Sequence, residues 1–495
     1  MPCRPARCSL AAAPSAICPS ASRLFASRLF ASCLFASRLF ASCPSASCLF
    51  ASCLLAGCLF FARSDFPLAI SSTSFADEPT PAGAAIGCEP AVPSIELPPT
   101  DDGLPGAGPI RRYDWFRNLW TQKRTAWAKR GEQDAGAVVF LGDSITQGWG
   151  DDLGGAFAGL KVANRGISGD TTRGMLLRLR DDVLALKPAG VVLLMGTNDL
   201  EEGADPATIA GNFQLILGEL KRHNPRMPIV VCAVFPSSAS KKRPADKIKK
   251  VNELYAAAVK GDAQVTWIDT WTLFADAQGD AKPAEFPDVL HPNKLGYAKW
   301  AAALRPILAT LGFVETTGDE FQVEPGFDSL FNGRDLTGWS FRDPKSFATV
   351  GELAGKTATE DGRYVAKHGR LIVTTPPEGR RIQQLWTVRE FPADFTLKLE
   401  FRATPNADSG VFLRKPQLQC RDYPLAGPYK NLEKYRPQDW NELVIVVRGD
   451  MARCECNGEL LEGMFKLPAT GPIGLEGDRG QMEYRRIRLR VDKPQ

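Results

Sequence analysis

The sequence predicts two unlike folded parts in series: a parallel α/β sheet with helices on both faces, then an all-β sandwich. Between residues 111 and 314, short apolar runs alternate with stretches of helical period, the pattern of strands joined by crossover helices. From 326 to 495 the helical period is lost, and short alternating runs are separated by Gly, Asn and Asp turns. At 495 residues the chain is also longer than one ordinary domain.

Composition excludes several classes. The net charge of +4 is spread over 60 basic and 56 acidic residues, too balanced for a nucleic-acid partner. No zinc-spaced Cys/His cluster, Walker loop or dinucleotide fingerprint is present, so neither a metal nor a cofactor is expected. Nine of the 13 cysteines precede residue 90. Cys232 lies in an apolar run and reads as a small buried hydrophobe. Cys454 and Cys456 share one face of a predicted strand, and either is placed to pair with Cys420 across strands.

Residues 1–76 carry a five-residue repeat and an export signal. A five-residue step turns ~500° around a helix, so no face stays apolar and the repeat is not a solenoid. Arginines followed by the apolar stretch Leu49 to Phe61, with Ser74, Phe75 and Ala76 as a cleavage site, predict export to the periplasm or outside the cell. Cys58 in a lipobox-like context offers lipid anchoring as the lesser alternative, and the stretch is too interrupted for a stable membrane span. Residues 77–110, rich in Pro, Gly and Ala, read as a flexible linker.

In the first domain, Asp114 caps a helix whose Trp115, Leu119, Trp120 and Trp127 are expected to form its apolar side. Val138 to Leu141 is a buried strand that breaks at Gly142 and Asp143 and delivers Ser144 to its carboxyl end, where open α/β sheets place ligands. Ser144 is a candidate nucleophile; Asp143 and Ser144 equally suit a helix cap. Leu160 to Ala163 is the next strand and Thr171 to Leu186 a helix. Strands at Val191 to Met195, Ile229 to Phe235 and Val265 to Ile268 follow, between helices at Pro206 to Arg222, Asp246 to Val259 and Leu295 to Leu311. About 200 residues of this kind bury ~70% of the unfolded surface, enough to stand alone.

Polar residues collect at the strand ends: Asn164 to Thr172 after the second, Gly196 to Asp199 after the third, Asp288 to Asn293 after the fifth. Backbone amides beside glycines and a side-chain amide are the donors that stabilise an oxyanion. The base of a serine hydrolase would have to be one of three histidines, His223, His291 or His368; Asp288 and His291, three apart, can lie on one turn, the carboxylate holding the tautomer that accepts a serine proton. His223 ends a helix and reads as a cap. Lys241 to Lys250 is a basic cluster read as solvated surface, and Trp149 and Phe157 either line the site or pack.

Gly142 to Ser144, Gly169 with Asp170, Gly196 to Asp199, and Asp288 with His291 resemble, in order, the four blocks of the SGNH (GDSL) hydrolase family. The strings Asn164 to Thr172 and Leu290 to Ala298 are similar to the subgroup around the platelet-activating-factor acetylhydrolase catalytic subunits. The resemblance covers roughly residues 135 to 312 and implies a three-layer flavodoxin-like fold for the 111–314 domain, with metal-free ester hydrolysis. It assigns Ser144 as nucleophile, His291 as base and Asp288 as the carboxylate behind it, with the Ser144 and Gly169 amides and the Asn198 side chain as the oxyanion hole.

After a linker at 315–325, the second domain spans 326–495. Strands are predicted at Arg370 to Thr374, Phe395 to Phe401, Gly410 to Leu413, Asn441 to Val447 and Glu483 to Arg490, with a hairpin turn at Asn457 and Gly458. Leu330 to Trp339, Asp408 to Arg414 and Asp439 to Glu442 resemble the 3-keto-disaccharide hydrolase domain, which implies a jelly roll linked to carbohydrate. Gln417 and Gln419 stand where a Glu-x-Gln is expected, and Glu476 and Asp478 where Gln and His are common, so no catalytic residue is carried over. Trp339, Trp386 and Trp440 are each expected in the core.

The leading expectation is an exported esterase that removes short acyl groups, most simply acetyl, from carbohydrate while the second domain binds or processes the glycan. The alternatives are a lipid or phospholipid acyl hydrolase, an esterase joined to a glycoside hydrolase, and a carbohydrate-binding surface protein.

Overall fold

The computed structural model describes residues 95–314, 321–374, 383–391 and 394–492, all within one compact unit of the chain. The repeat, Leu49 to Phe61, Cys58 and the cleavage site lie outside the described residues, as do 77–94 and 315–320 of the two linkers. No described helix is long and apolar enough to cross a membrane.

Five parallel strands, β1 (Val138–Gly142), β2 (Val162–Gly166), β3 (Gly190–Leu194), β4 (Ile229–Cys232) and β5 (Val265–Ile268), stand in the order β2-β1-β3-β4-β5. Because β1 sits between β2 and β3, the sheet order reverses there, and a crevice opens beyond the carboxyl ends of β1 and β3. The helices are α1 (Asp114–Ala128), α2 (Gly131–Asp134), α3 (Ser144–Gly148), α4 (Thr172–Asp182), α5 (Thr197–Glu201), α6 (Pro206–His223), α7 (Ala245–Val259), α8 (Thr270–Phe274) and α9 (Lys294–Thr310). Val139, Leu141, Val191 and Leu193 face one layer, packing with Met175 of α4, Phe213 of α6 and Tyr255 of α7. Val138, Phe140, Val192 and Leu194 face the other, packing with Trp300, Leu304 and Ile307 of α9. Both faces are buried, which is why these strands read as unbroken apolar runs.

Four elements differ from the expectation, and the first, β4, stops at Cys232 instead of reaching Phe235. β2 begins at Val162 and runs through Asn164 and Arg165, which sequence reading placed beyond the strand. Its polar side chains are buried because each is satisfied: Asn164 Nδ2 donates to Thr146 O and Gly150 O, and Arg165 donates to Asp134 and to Asp182 O. The helix expected to reach Leu186 breaks at Val183 and continues as a short 3₁₀ turn. On α1 the buried stripe is Phe116, Trp120, Arg124 and Trp127. Trp115 precedes that stripe by one residue, ~100° around the helix, and is exposed.

The second part is two antiparallel sheets packed face to face. An eight-stranded sheet is centred on Phe395–Ala403 and Met482–Val491, and a six-stranded sheet includes Gly410–Leu413 and Ile473–Leu475. Period-two burial along Asn441–Arg448 turns Leu443, Ile445 and Val447 into the shared core. Asn457 (φ +48°) and Gly458 (φ +78°) form the two-residue hairpin between Met451–Cys456 and Glu459–Lys466. Cys420, Cys454 and Cys456 are buried free thiols, so no disulfide joins them. Burial pushes Cys454 and Cys456 up to about 12, leaving them as small hydrophobes. Trp339 and Trp386 are core, as expected. Trp440 is instead partly exposed, stacked by Arg485 at 4.0 Å and Arg402 at 4.8 Å.

Candidate active site

The site is built where β1 stops. A β-carbon on Gly142 would stand 2.1 Å from Thr146 Oγ1 and 2.8 Å from Leu194 O, so only glycine lets α3 turn so tightly off the strand. Asp143 is the N-cap of α3, its Oδ1 accepting from Ile145 N at 2.9 Å. Capping is therefore the role of Asp143, and Ser144, the first helical residue, is left free for other contacts. The Ser144 N–H belongs to the first helical turn and has no acceptor within the helix.

Ser144 Oγ lies 3.0 Å from His291 Nε2, and His291 Nδ1 lies 2.7 Å from Asp288 Oδ2. The second carboxylate oxygen, Oδ1, accepts from His291 N at 2.7 Å and Leu290 N at 3.1 Å. Burial raises the Asp288 pKa, but the hydrogen bonds from the His291 backbone and ring and from Leu290 outweigh it and hold the group below its usual value. The loop is fastened at both ends. Ser237 Oγ donates to Val289 O at 2.9 Å, and Asn293 Oδ1 caps α9 through Leu295 N and Gly296 N. His223 is the last residue of α6, and His368 occupies a turn between strands.

Gly169 (φ +86°) and Asn198 complete the set that the sequence singled out. Asn198 Nδ2 donates to Asp170 O at 2.9 Å, and its Oδ1 accepts from Arg243 Nη2 at 3.0 Å. Those two bonds fix the amide orientation and leave a second Nδ2 hydrogen. Arg243 was hidden inside the basic run 241–250, whose Lys242, Lys247, Lys249 and Lys250 are exposed as expected. Arg243 itself is buried, donating also to Thr197 O, Lys241 O and Glu201. No spacing rule finds it, because its partners come from a different loop.

Behind the serine lie three buried carboxyls. Desolvation pushes Asp143 and Asp199 up to about 6 and Asp170 to about 7. Each has a structural partner: Ile145 N for Asp143, Thr172 N and Oγ1 for Asp199, and Arg178 Nε at 2.7 Å for Asp170. A cavity of about 780 Å³ is lined by Gly148, Trp149, Pro292, Tyr297 and Arg305, with Ser144 and His291 not among its lining residues. Trp149 is thus both core and wall, whereas Phe157 only packs, against Phe140 and Trp149.

In the sandwich, Glu476 accepts from Gln384 and Gln417, and Asp408 is paired with Arg421. Burial raises both carboxyls above their usual values.

A hydroxyl hydrogen-bonded to an imidazole whose other nitrogen faces a carboxylate can lose its proton as it attacks a carbonyl. Comparison with known proteins agrees with that chemistry. Residues 140–299 match the GDSL-like lipase/acylhydrolase family, and residues 326–490 match the 3-keto-alpha-glucoside-1,2-lyase-like domain. Platelet-activating factor acetylhydrolase IB subunit alpha2 of Homo sapiens is 31% identical over 193 residues, 38% of this chain and 81% of the relative. Subunit alpha1 of Bos taurus is 30% identical over 181 residues, 35% of this chain and 75% of the relative. A GDSL-like lipase structure from Bacteroides thetaiotaomicron is 24% identical, covers 38% of this chain and 97% of that one, and has a TM-score of 0.34. On the strength of the family match and the two acetylhydrolase relatives, the chain belongs to the GDSL-like lipase/acylhydrolase family and is an ester hydrolase that carries a second, glycosidase-like domain.

Proposed function

We propose that the chain is an exported esterase that removes acetyl or similarly short acyl groups from carbohydrate, with the sandwich holding the glycan. The observation that carries this reading is the serine–histidine–carboxylate chain lying on the same polypeptide as a carbohydrate-type domain. Relatives named acetylhydrolases support the short acyl group, and the apolar stretch Leu49 to Phe61 supports export. Their full name also points to a phospholipid, which is the second reading.

In this mechanism Ser144 attacks the ester carbonyl while His291 takes its proton, with Asp288 holding the ring. The Ser144 and Gly169 amides and the free Asn198 hydrogen hold the oxyanion. His291 then protonates the leaving alcohol, and water repeats the steps on the acyl-enzyme. Asn198→Ala is expected to lower kcat on 4-nitrophenyl acetate by roughly 10²–10³-fold, the usual loss for one oxyanion donor. An unchanged kcat in the folded variant removes Asn198 from the mechanism.

The substrate class is tested by assaying the chain beside Ser144→Ala on acetylated oligosaccharides, on short- and long-chain nitrophenyl esters, and on a phospholipid bearing a short acyl chain. Serine-dependent acetate release from the sugars supports the proposal. Preference for the phospholipid replaces it with the second reading.

A further inference from the structure

We infer that Tyr113 and Trp115 form an aromatic binding platform for the alcohol side of the ester, and that the group they take is a sugar ring. This rests on the proposed carbohydrate esterase and names the subsite that would give it its specificity.

Among the described residues, Tyr113 at 53% and Trp115 at 51% are the only Trp, Tyr or Phe side chains more than half exposed. Their rings are stacked, with centroids 6.4 Å apart and planes only 12° from parallel. Trp115 is steadied edge-on by Phe116, which is itself buried against Trp120. The Tyr113 hydroxyl reaches Glu202 at 3.4 Å. The apolar stripe of α1 is satisfied by the core beneath it, so the core does not require these two rings.

Their position ties them to the chemistry. A β-carbon built on Gly169 would stand 2.6 Å from Trp115 Cη2 and 2.9 Å from Arg111 Nη1. The indole and the guanidinium therefore lie directly against the backbone proposed to hold the oxyanion. Whatever stacks on the platform is attached to, or adjacent to, the reacting ester.

The chemistry of the surroundings selects the occupant. Two exposed, nearly parallel rings present flat aromatic surface suited to the axial hydrogens of a pyranose. A quaternary ammonium is better held where aromatic faces converge and a spare carboxylate neutralises it. Here neither carboxylate is spare. Glu201 is paired with both Arg111 and Arg243, and Glu202 with Arg111 Nε at 2.6 Å. Those same groups border the platform with the donors and acceptors that sugar hydroxyls need. A long lipid chain would need an enclosed apolar trench rather than a polar-rimmed face.

The test compares kcat/KM for an acetylated xylo-oligosaccharide with that for methyl acetate, whose alcohol is too small to reach the platform. In the full chain, Trp115→Ala is expected to lower this ratio about tenfold, mainly through KM for the sugar, the scale of one lost aromatic contact. Tyr113→Ala lowers it too, and Trp115→Phe, which keeps a ring, restores most of it. An unchanged ratio in Trp115→Ala overturns the platform. So does an equal loss on both esters, which would mean that Trp115 only supports Gly169. A loss confined to acetylcholine in a parallel assay overturns it in favour of an ammonium site. If methyl acetate itself shows no Ser144-dependent hydrolysis, the esterase mechanism falls as well, so the two failures are told apart.

Discussion

Ser144→Ala and His291→Ala each lower kcat on 4-nitrophenyl acetate by about 10⁶-fold, and the double variant is no slower than either single one. The expectation follows from the single 3.0 Å contact between Ser144 Oγ and His291 Nε2. The imidazole's task is to remove one proton, the serine's, so without the hydroxyl it has nothing to accept. Without the imidazole, the hydroxyl keeps its proton at neutral pH and is a poor nucleophile. Two residues that perform one step cannot lose that step twice. What survives in all three variants is the oxyanion hole and substrate binding acting on a water molecule, about 10³–10⁴-fold over the uncatalysed reaction. Steady-state rates on the purified variants read this directly. Multiplicative losses in the double variant, or a single loss below about 10²-fold, would separate the two residues and require a different nucleophile or base.

Much of this arrangement was legible in the sequence, and the exceptions share a cause. Strands β1, β3 and β4 announce themselves because both of their faces are buried, and hydropathy records that burial. The contacts that join Ser144, His291 and Asp288 follow the pairing expected from residue type and local spacing; the roles of the three in catalysis belong to the proposed mechanism. β2 was misplaced because Asn164 and Arg165 are buried by hydrogen bonds to residues of other segments, such as Thr146, Gly150 and Asp134. Hydropathy sees their polarity and not their partners.

The same holds for Arg243. Four neighbouring lysines on the surface hide a guanidinium whose burial is decided by Glu201 and the Asn198 amide, over forty residues away in sequence. Trp115 was misread for a geometric reason. Tryptophans at 115, 120 and 127 suggest one stripe, but Phe116 in place of Trp115 completes the buried stripe. A one-residue shift carries a side chain from core to solvent, and here it leaves Trp115 exposed against Gly169.

Asp288→Asn is expected to lower kcat by about 10⁴-fold, through the tautomer of His291 rather than through lost packing. The two carboxylate oxygens have different duties. Oδ1 accepts from the backbone N–H groups of Leu290 and His291, and Oδ2 faces His291 Nδ1 at 2.7 Å. An asparagine at this position has one acceptor oxygen, and two backbone donors compete to fix it at the Oδ1 site. Its NH₂ is then left facing Nδ1 and must donate to it. The imidazole responds by carrying its proton on Nε2, the atom that has to accept from Ser144. The loop keeps its backbone bonds, so the variant folds with its geometry intact and the wrong nitrogen protonated. In the parent chain the reverse condition is secured, because the hydrogen bonds to Asp288 keep it ionised below the usual carboxylate range. Nitrogen NMR of the labelled His291 ring checks the step independently of activity, with the proton expected on Nδ1 in the parent and on Nε2 in the variant. A variant that keeps the Nδ1 proton yet loses 10⁴-fold would shift the role of Asp288 from choosing the tautomer to stabilising the imidazolium that forms during attack.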